Sequence, residues 1–225
     1  MRIKDNVAIT EHDIDVTAGD DSAVVTYEGD ATAGYGSAVA TYEGNASADH
    51  GSAVRTDVGD VTAGHESAVR TYEGDATGGF ESAVKTFKGD AKADYCSAVY
   101  TYDGNATGGD YSAVNTSKGN ATAKYSSAVR TDVGDVTAGG ESAVRTYEGN
   151  ATAGCISAVN TFYGNATGGS YSAVRTFKGN AKCGDNSIAM GKTVEIGENS
   201  VGAILDEDGK IIEIVYSGDI KLTKI

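Results

Sequence analysis

Histidine and cysteine are the most chemically versatile residues of this chain, and each occurs three times. His50 and His65 stand 15 residues apart, and Glu66 directly follows the second of them. Imidazole and carboxylate groups are ordinary metal ligands, so this spacing could hold an ion if the fold brings the side chains together. A third ordered ligand is not evident in the sequence. We therefore interpret the two histidines as solvated turn residues and predict no metal site.

The three cysteines, Cys96, Cys155 and Cys183, form neither a disulfide framework nor a metal-binding spacing. Cys155 falls in a predicted turn, yet no histidine lies near it in sequence to activate its thiol. The Gly-Gly-x-Gly-x-Asp pattern of calcium-binding repeats is also absent. An enzyme gathers a few unlike residues in a cleft, whereas this chain repeats like residues in rows. We predict no catalytic residues, no cofactor and no enzymatic activity.

The rows arise from a tandem repeat. Ser-Ala-Val occurs eleven times, and each copy begins 15 residues after the previous one. A fixed short period without insertions is typical of a solenoid, in which each coil stacks on the one before it. The copies begin at Ser22, Ser37, Ser52, Ser67, Ser82, Ser97, Ser112, Ser127, Ser142, Ser157 and Ser172.

We number the 15 positions of a coil as slots, with the serine in slot 1. The consensus is Ser-Ala-Val-x-Thr-aromatic-x-Gly-Asp/Asn-Ala-Thr-Ala/Gly-Gly-x-x, and slots 1, 2, 3, 5 and 8 never vary in the eleven copies. Strand side chains alternate between two faces. A first strand therefore buries slots 1, 3 and 5 and exposes slots 2 and 4. A second strand at slots 9–12 buries slots 10 and 12 and exposes slots 9 and 11.

Glycine at slot 8 and a glycine-rich bend at slots 13–15 predict the two turns of each coil, because glycine tolerates a positive φ. The sequence therefore predicts an all-β fold, a β-solenoid (β-helix) of 15-residue coils with two short strands per coil. Valine opposes alanine in the pattern, which indicates a thin, close-packed core between two sheets.

The ends of the chain depart from the consensus. Residues 1–21 contain an imperfect first coil, residues 22–186 contain the eleven regular coils, and residues 187–225 contain two degenerate coils and a C-terminal β cap. In the cap, an Asp208-Gly209 turn precedes a strand pattern at 210–216, and a last strand is predicted at 219–225. Large apolar residues concentrate here, so we expect the cap to cover the open end of the solenoid.

Equal slots of stacked coils lie about 4.8 Å apart and form ladders along the stack. Slot 6 predicts an aromatic ladder, interrupted at Asp57, Ser117 and Asp132, whose stacked rings stabilise neighbouring coils. The functional alternative is a contact stripe for sugars or a partner protein, or for a weak side-by-side homodimer. The stripe comprises Tyr27, Tyr42, Tyr72, Phe87, Tyr102, Tyr147, Phe162 and Phe177.

Slot 11 predicts an outward row of hydroxyl groups that Lys92 and Lys182 interrupt. This row is the candidate surface for binding ice or another partner. It comprises Thr32, Ser47, Thr62, Thr77, Thr107, Thr122, Thr137, Thr152 and Thr167. Slot 4 is rich in arginine and slot 7 is rich in glutamate, which predicts ion pairs between these two slots along one edge.

The segment Thr-Ala-Gly-Tyr-Gly-Ser at 32–37 resembles the octapeptide repeats of bacterial ice nucleation proteins, which carry Ala-Gly-Tyr-Gly-Ser-Thr-x-Thr in 16-residue coils. A related pattern runs along most of residues 15–186. The chain departs from that family at slots 2 and 4, where alanine and variable residues replace the Thr-x-Thr pair. It also resembles uncharacterised bacterial and phage proteins with Thr-Ala-Gly-x-x-Ser repeats. These resemblances imply a thin β-solenoid and raise ice binding as an activity to test.

The net charge of −14 disfavours nucleic acids and anionic membranes as partners. Neither a secretory signal nor a run of about 18 apolar residues is visible, which favours a cytoplasmic or virion-associated protein. We expect a non-catalytic structural or interaction rod, a scaffold or a phage or bacterial recognition module, with an unknown protein or surface as its partner. The alternative is an ice-binding protein, antifreeze or ice-nucleation-like, that uses the slot 11 row.

Overall fold

The computed structural model describes residues 5–218, which form an all-β solenoid of stacked coils. The chain divides into two compact units, Met1–Lys118 and Gly119–Ile225. In each unit, the first strands of successive coils pair in parallel to form one sheet, and the second strands pair in parallel to form another. We call these the long-strand sheet and the short-strand sheet. The predicted fold class is confirmed.

The strands of the N-terminal unit alternate between the long-strand sheet, which takes the odd numbers, and the short-strand sheet, which takes the even numbers. They are β1 (Ala8–Glu11), β2 (Val16–Thr17), β3 (Ala23–Glu28), β4 (Ala31–Ala33), β5 (Ala38–Glu43), β6 (Ala46–Ala48), β7 (Ala53–Val58), β8 (Val61–Ala63), β9 (Ala68–Arg70), β10 (Ala76–Thr77), β11 (Ala83–Lys85), β12 (Ala91–Lys92), β13 (Ala98–Asp103), β14 (Ala106–Thr107) and β15 (Ala113–Lys118).

The C-terminal unit follows the same alternation up to β27, and then the cap strand β28 adds to the long-strand sheet. Its strands are β16 (Ala121–Thr122), β17 (Ala128–Val133), β18 (Val136–Thr137), β19 (Ala143–Glu148), β20 (Ala151–Thr152), β21 (Ala158–Tyr163), β22 (Ala166–Thr167), β23 (Ala173–Lys178), β24 (Asn180–Lys182), β25 (Ile188–Gly191), β26 (Thr193–Glu195), β27 (Val201–Leu205) and β28 (Ile211–Tyr216).

The core is a row of valines facing a row of alanines. In β3, Val24 and Thr26 are buried while Ala23 is exposed, and in β4 Ala31 and Ala33 are buried. The same alternation recurs along both units, so the predicted inward register of slots 1, 3, 5, 10 and 12 is confirmed. Because each buried side chain is small, the two sheets approach closely and the core remains thin.

The hydroxyl groups of the invariant serine and threonine form hydrogen bonds with backbone groups of the turns. Thr56 Oγ1 donates to the carbonyl of Gly44 in the preceding coil at 3.0 Å and also contacts the Val58 carbonyl at 3.2 Å. The Ser37 N–H donates to Ser52 Oγ in the next coil at 3.2 Å. Within residues 5–218, no buried side-chain nitrogen or oxygen lacks a hydrogen-bond partner. Slots 1 and 5 therefore carry hydroxyls although they face the core, since an unpaired buried polar group is costly.

The strands begin one residue later than the sequence pattern predicts. The serine N–H of slot 1 donates to a side-chain hydroxyl, and the backbone ladder begins at slot 2, where Ala38 N donates to the Ser22 carbonyl at 2.9 Å. The long strands extend to slot 7 in most coils, and the short strands of the regular coils occupy slots 10–11 or 10–12, except for β24, which spans slots 9–11. The predicted spans of slots 1–5 and 9–12 were wrong by these residues.

Glycine at slot 8 is required for two reasons, its positive φ and the close approach of the preceding coil. Gly59 has φ +134°, and a Cβ at this position would clash with the Gly44 carbonyl of the preceding coil. At the second bend the expectation needs correction, because the positive φ falls on slot 15, which is rarely glycine. Examples are Glu66 at φ 56° and Ile156 at φ 59°. Slot 13 is crowded in several coils for a different reason, since a Cβ on Gly64 would lie 2.8 Å from the backbone nitrogen of His50. Other coils nevertheless hold Asp49, Asp94 and Lys124 in this slot.

Both ends continue the coil pattern. β1 and β2 form the first coil, and β1 pairs in parallel with β3. After the regular repeat the period shortens to 13 residues, and the Ser187 N–H still donates to Ser200 Oγ at 3.1 Å. β28 then pairs antiparallel with β27 after a turn at Gly209, as the cap pattern predicts. The predicted strand at 219–225 lies outside the described residues.

Candidate functional site

The slot 11 hydroxyls lie on the outer face of the short-strand sheet, one per coil. In the N-terminal unit Thr32, Ser47 and Thr62 are register neighbours, and Thr32 Oγ1 lies 3.0 Å from Ser47 Oγ. In the C-terminal unit Thr122, Thr137, Thr152 and Thr167 follow one another in the same way. Ser47 and Thr167 are half-buried and the others are exposed. The structure therefore places the predicted row on one continuous face within each unit.

Slot 9, beside this row, carries a hydrogen-bond ladder that the sequence analysis missed. The Asn45 N–H donates to Asp30 Oδ1 at 2.8 Å, and the Asp60 N–H donates to Asn45 Oδ1 at 2.9 Å. Aspartate and asparagine place the same acceptor oxygen at the same reach, so either residue serves. Because each oxygen accepts from the backbone of the next coil, slot 9 has a structural role that fixes one turn against the next.

The slot 6 aromatics form separate stacks rather than one stripe. In the N-terminal unit Tyr72, Phe87 and Tyr102 have ring centroids 4.8 Å apart and planes within 3° of each other. In the C-terminal unit Tyr147, Phe162 and Phe177 are 5.1 and 4.7 Å apart. Both stacks stop where the sequence replaces the aromatic residue.

His12 was missed as a member of this ladder, although it occupies slot 6 of the first coil. Its ring stacks on Tyr27 at 4.2 Å with planes 9° apart. Stacking covers the faces of the inner rings and leaves their edges toward solvent. A sugar binds an aromatic residue through the ring face, where the π density lies, so the stacks favour a structural role over sugar binding.

The ion pairs connect different slots from those predicted. Arg55 pairs with Asp57 at 2.9 Å and Arg130 pairs with Asp132 at 3.0 Å, which joins slot 4 to slot 6 of the same strand. Lys88 pairs with Glu73 of the preceding coil at 2.6 Å, and this contact raises the pKa of Lys88. The predicted pairing of slot 4 with slot 7 was wrong, because residues two apart share a face of a strand and residues three apart do not.

The two histidines share slot 14, as the sequence indicates, and belong to a longer row of rings at slots 14 and 15 that the sequence analysis did not identify. His50 and His65 have ring centroids 4.5 Å apart, and His65 stacks on Phe80 at 4.5 Å. Tyr95 and Tyr111 continue the row at 5.3 Å. The row can be recognised in the sequence only when histidine is counted with the aromatic residues, because its rings belong to histidine, phenylalanine and tyrosine.

The histidine pair is not arranged as a metal centre. His65 Nδ1 accepts a hydrogen bond from the Phe80 N–H at 2.9 Å, so this nitrogen is already engaged. Across residues 5–218, no three His, Cys, Asp or Glu side chains are grouped as metal ligands. Cys96 and Cys155 are exposed, whereas Cys183 is buried and burial raises the pKa of its thiol.

No protein-family model matches the chain, and neither a curated protein nor a solved structure matches it. The part of the chain that the structure describes contains no helix long and apolar enough to cross a membrane. Fold and surface together define a tandem-repeat β-solenoid that presents rows of side chains from equal slots on the outer faces of its two sheets.

Proposed function

We propose that the protein is a non-catalytic structural or interaction β-solenoid, a scaffold or a bacterial or phage recognition module, working in the cytoplasm or in a virion. The observation that carries the proposal is the difference between the constant inward slots and the variable outward slot of each coil. The inward slots 1, 3 and 5 are constant, and the hydroxyls of slots 1 and 5 are hydrogen-bonded, whereas the outward slot 4 varies from arginine to tyrosine. Repeat proteins present binding surfaces in this way, on a constant frame with changeable exposed positions.

The exposed face of the long-strand sheet is therefore the expected docking surface for a protein or another surface. Its slot 4 residues include Arg55, Arg70 and Arg145, which are all exposed. Arginine is enriched where proteins contact each other. The negative net charge disfavours nucleic acids as the partner.

Affinity capture with matched variants tests this proposal. The first variant carries Arg70→Ala, Arg145→Ala and Arg175→Ala on the long-strand face, and its control carries Thr77→Ala, Thr137→Ala and Thr152→Ala on the other face. We expect a partner that binds the wild type and the control but not the arginine variant. Equal binding to all three proteins, or turnover of a substrate by the purified chain, would contradict the proposal.

Ice binding through the slot 11 row is the second candidate. It is supported by hydroxyls repeated once per coil in parallel register, as at Thr122 and Thr137. The lysines of the row and the single hydroxyl per coil weaken it, because a lattice match needs a regular two-dimensional array. Thermal hysteresis of the purified protein decides between the two functions. We expect no thermal hysteresis. Thermal hysteresis that is lost in Thr122→Lys and kept in Asn115→Lys, on the opposite face, would make ice binding the favoured function.

A further inference from the structure

The outer face of the long-strand sheet contains a constant residue that folding does not explain. Slot 2 is alanine in all eleven copies, and every one of these alanines is exposed. The other invariant slots are buried, hydrogen-bonded or conformationally restricted. Alanine is a poor strand residue, so neither packing nor propensity selects it at an exposed position. A requirement for close approach of another surface would select it, because its side chain is a single methyl group.

Opposite charges flank this alanine row in two adjacent coils of the N-terminal unit. Glu66 and Glu81 lie at slot 15, two residues before Ala68 and Ala83, and Arg70 and Lys85 lie at slot 4, two residues after them. All four charged side chains are exposed. The acidic residues thus run along one side of the alanine row and the cationic residues along the other.

These charges are left without intramolecular ion pairs. Arg55 in the preceding coil is engaged by Asp57 of its own strand, but slot 6 of the next two coils holds Tyr72 and Phe87 instead. Within residues 5–218, neither Arg70 nor the two glutamates form an ion pair. The surface therefore has an acidic side and a cationic side of complementary charge, and the alanine methyl groups lie between them.

We propose that a second copy of the chain docks on this face, about a two-fold axis that runs along the stacking direction above the alanine row. That rotation places the acidic side of one copy on the cationic side of the other, with Glu66 opposite Arg70 of the second copy. A two-fold axis across the rows would instead place acid on acid. Isologous contacts are the usual route to a homodimer, and the alanines allow the sheets to approach closer than the ordinary spacing of about 10 Å.

This interface differs from the aromatic stripe of slot 6, whose inner ring faces are covered by stacking. It uses the same face, and the same Arg70, as the proposed docking surface, so a second copy and another partner would compete there; sedimentation of the purified chain tests self-association alone. The contact is small, so we expect weak association, with a dissociation constant on the order of 100 μM.

A charge-exchange experiment tests the geometry. Variant A carries Arg70→Glu and Lys85→Glu, and variant B carries Glu66→Arg and Glu81→Arg. Each variant alone opposes like charges, so sedimentation equilibrium should show at least about tenfold weaker association than the wild type. An equimolar mixture of A and B restores opposite charges on both sides and should form a 1:1 dimer of wild-type affinity.

Two controls distinguish docking on the alanine row from a general effect of net charge. Glu28→Arg with Glu43→Arg changes the net charge as variant B does, but at slot 7, and should leave association unchanged. Ala68→Gln with Ala83→Gln keeps all charges and should abolish association, because the longer side chains prevent close approach of the second copy. Unchanged far-UV circular dichroism and melting temperature confirm that each variant folds. A monomeric wild type at about 1 mM, or a mixture of A and B that stays monomeric, would overturn the proposal.

Discussion

The buried hydroxyls of slots 1 and 5 add hydrogen bonds to the apolar contacts that hold this core. Thr86 illustrates the arrangement: its Oγ1 lies 2.9 Å from the Gly74 carbonyl and 3.3 Å from the Lys88 carbonyl. Each hydroxyl joins the turn of its own coil to the turn of the preceding coil. The Lys88 carbonyl also accepts the Gly74 N–H at 2.9 Å, so it is the Gly74 carbonyl that valine, although equal in shape, would deprive of the hydroxyl donor.

Thr86→Val tests the contribution of one hydroxyl. We expect a loss of about 1–3 kcal/mol in unfolding free energy, because the Gly74 carbonyl loses the hydroxyl donor while the packing volume is retained. Urea unfolding followed by circular dichroism measures the change. Thr77→Val, at the exposed slot 11, is the matched control and should change stability by less than about 0.5 kcal/mol. Equal losses in the two variants would show that the slot 5 hydroxyl contributes nothing specific.

The left-handed residue of slot 15 stores strain where the side chain is branched. Ile156 has φ 59° and is exposed, so no packing compensates the clash of its branched Cβ with the backbone. Ile156→Asn should therefore stabilise the protein by about 1 kcal/mol, since asparagine tolerates this conformation. Thermal melting measures it. The same change at Ile188, which is equally exposed but lies in β25, should not stabilise; a fall in melting temperature at position 156 would contradict the argument.

At the scale of the strand, register decides which side chains are inside. Val84 and Lys85 are neighbours in β11, and Val84 is buried while Lys85 is exposed. Val84→Asp places an unpaired charge in the core and should cost several kcal/mol, enough to unfold or fray the coils around it. Lys85→Asp, one residue along, should leave the melting temperature within a few degrees. Similar melting temperatures for the two variants would contradict the inward register of slot 3.

The alternation of strand side chains made the fold predictable, and it also marks where sequence reasoning failed. The constant slots and the 15-residue period predicted the two sheets, the inward residues and the positions of both candidate rows. The partner of Arg55 was mispredicted because the strand extends past slot 5, and alternation then places Asp57, not the slot 7 residue, on its face. The slot 9 ladder was missed because its hydrogen bonds join side chain to backbone between coils, which no pattern within one coil can reveal.

Across the molecule, a net charge of −14 has to be reconciled with stacking, because stacking places equal slots next to one another. Slot 9 shows the conflict most clearly. In three consecutive coils it holds Asp60, Asp75 and Asp90, whose carboxylates lie one coil apart. Each carboxylate accepts a backbone hydrogen bond that the fold needs, yet its charge repels its neighbours. The aspartates of slot 9 therefore repel one another within the ladder, while the net charge to which they contribute keeps the protein soluble.

Asp75→Asn separates the hydrogen bond from the charge. Asparagine keeps the acceptor that the Asp90 N–H uses at 2.8 Å, as Asn45 already does for Asp60, and it removes the charge between two aspartates. We expect a gain of roughly 0.2–1 kcal/mol at low salt, the range for like charges on facing strand positions. The gain should shrink in about 1 M NaCl, where the screening length falls to about 3 Å. Asp75→Ala, which removes both charge and acceptor, should destabilise at either salt concentration. If asparagine and alanine have the same effect, the slot 9 oxygen contributes no stabilising hydrogen bond, and the repeat retains Asp and Asn there for solubility alone.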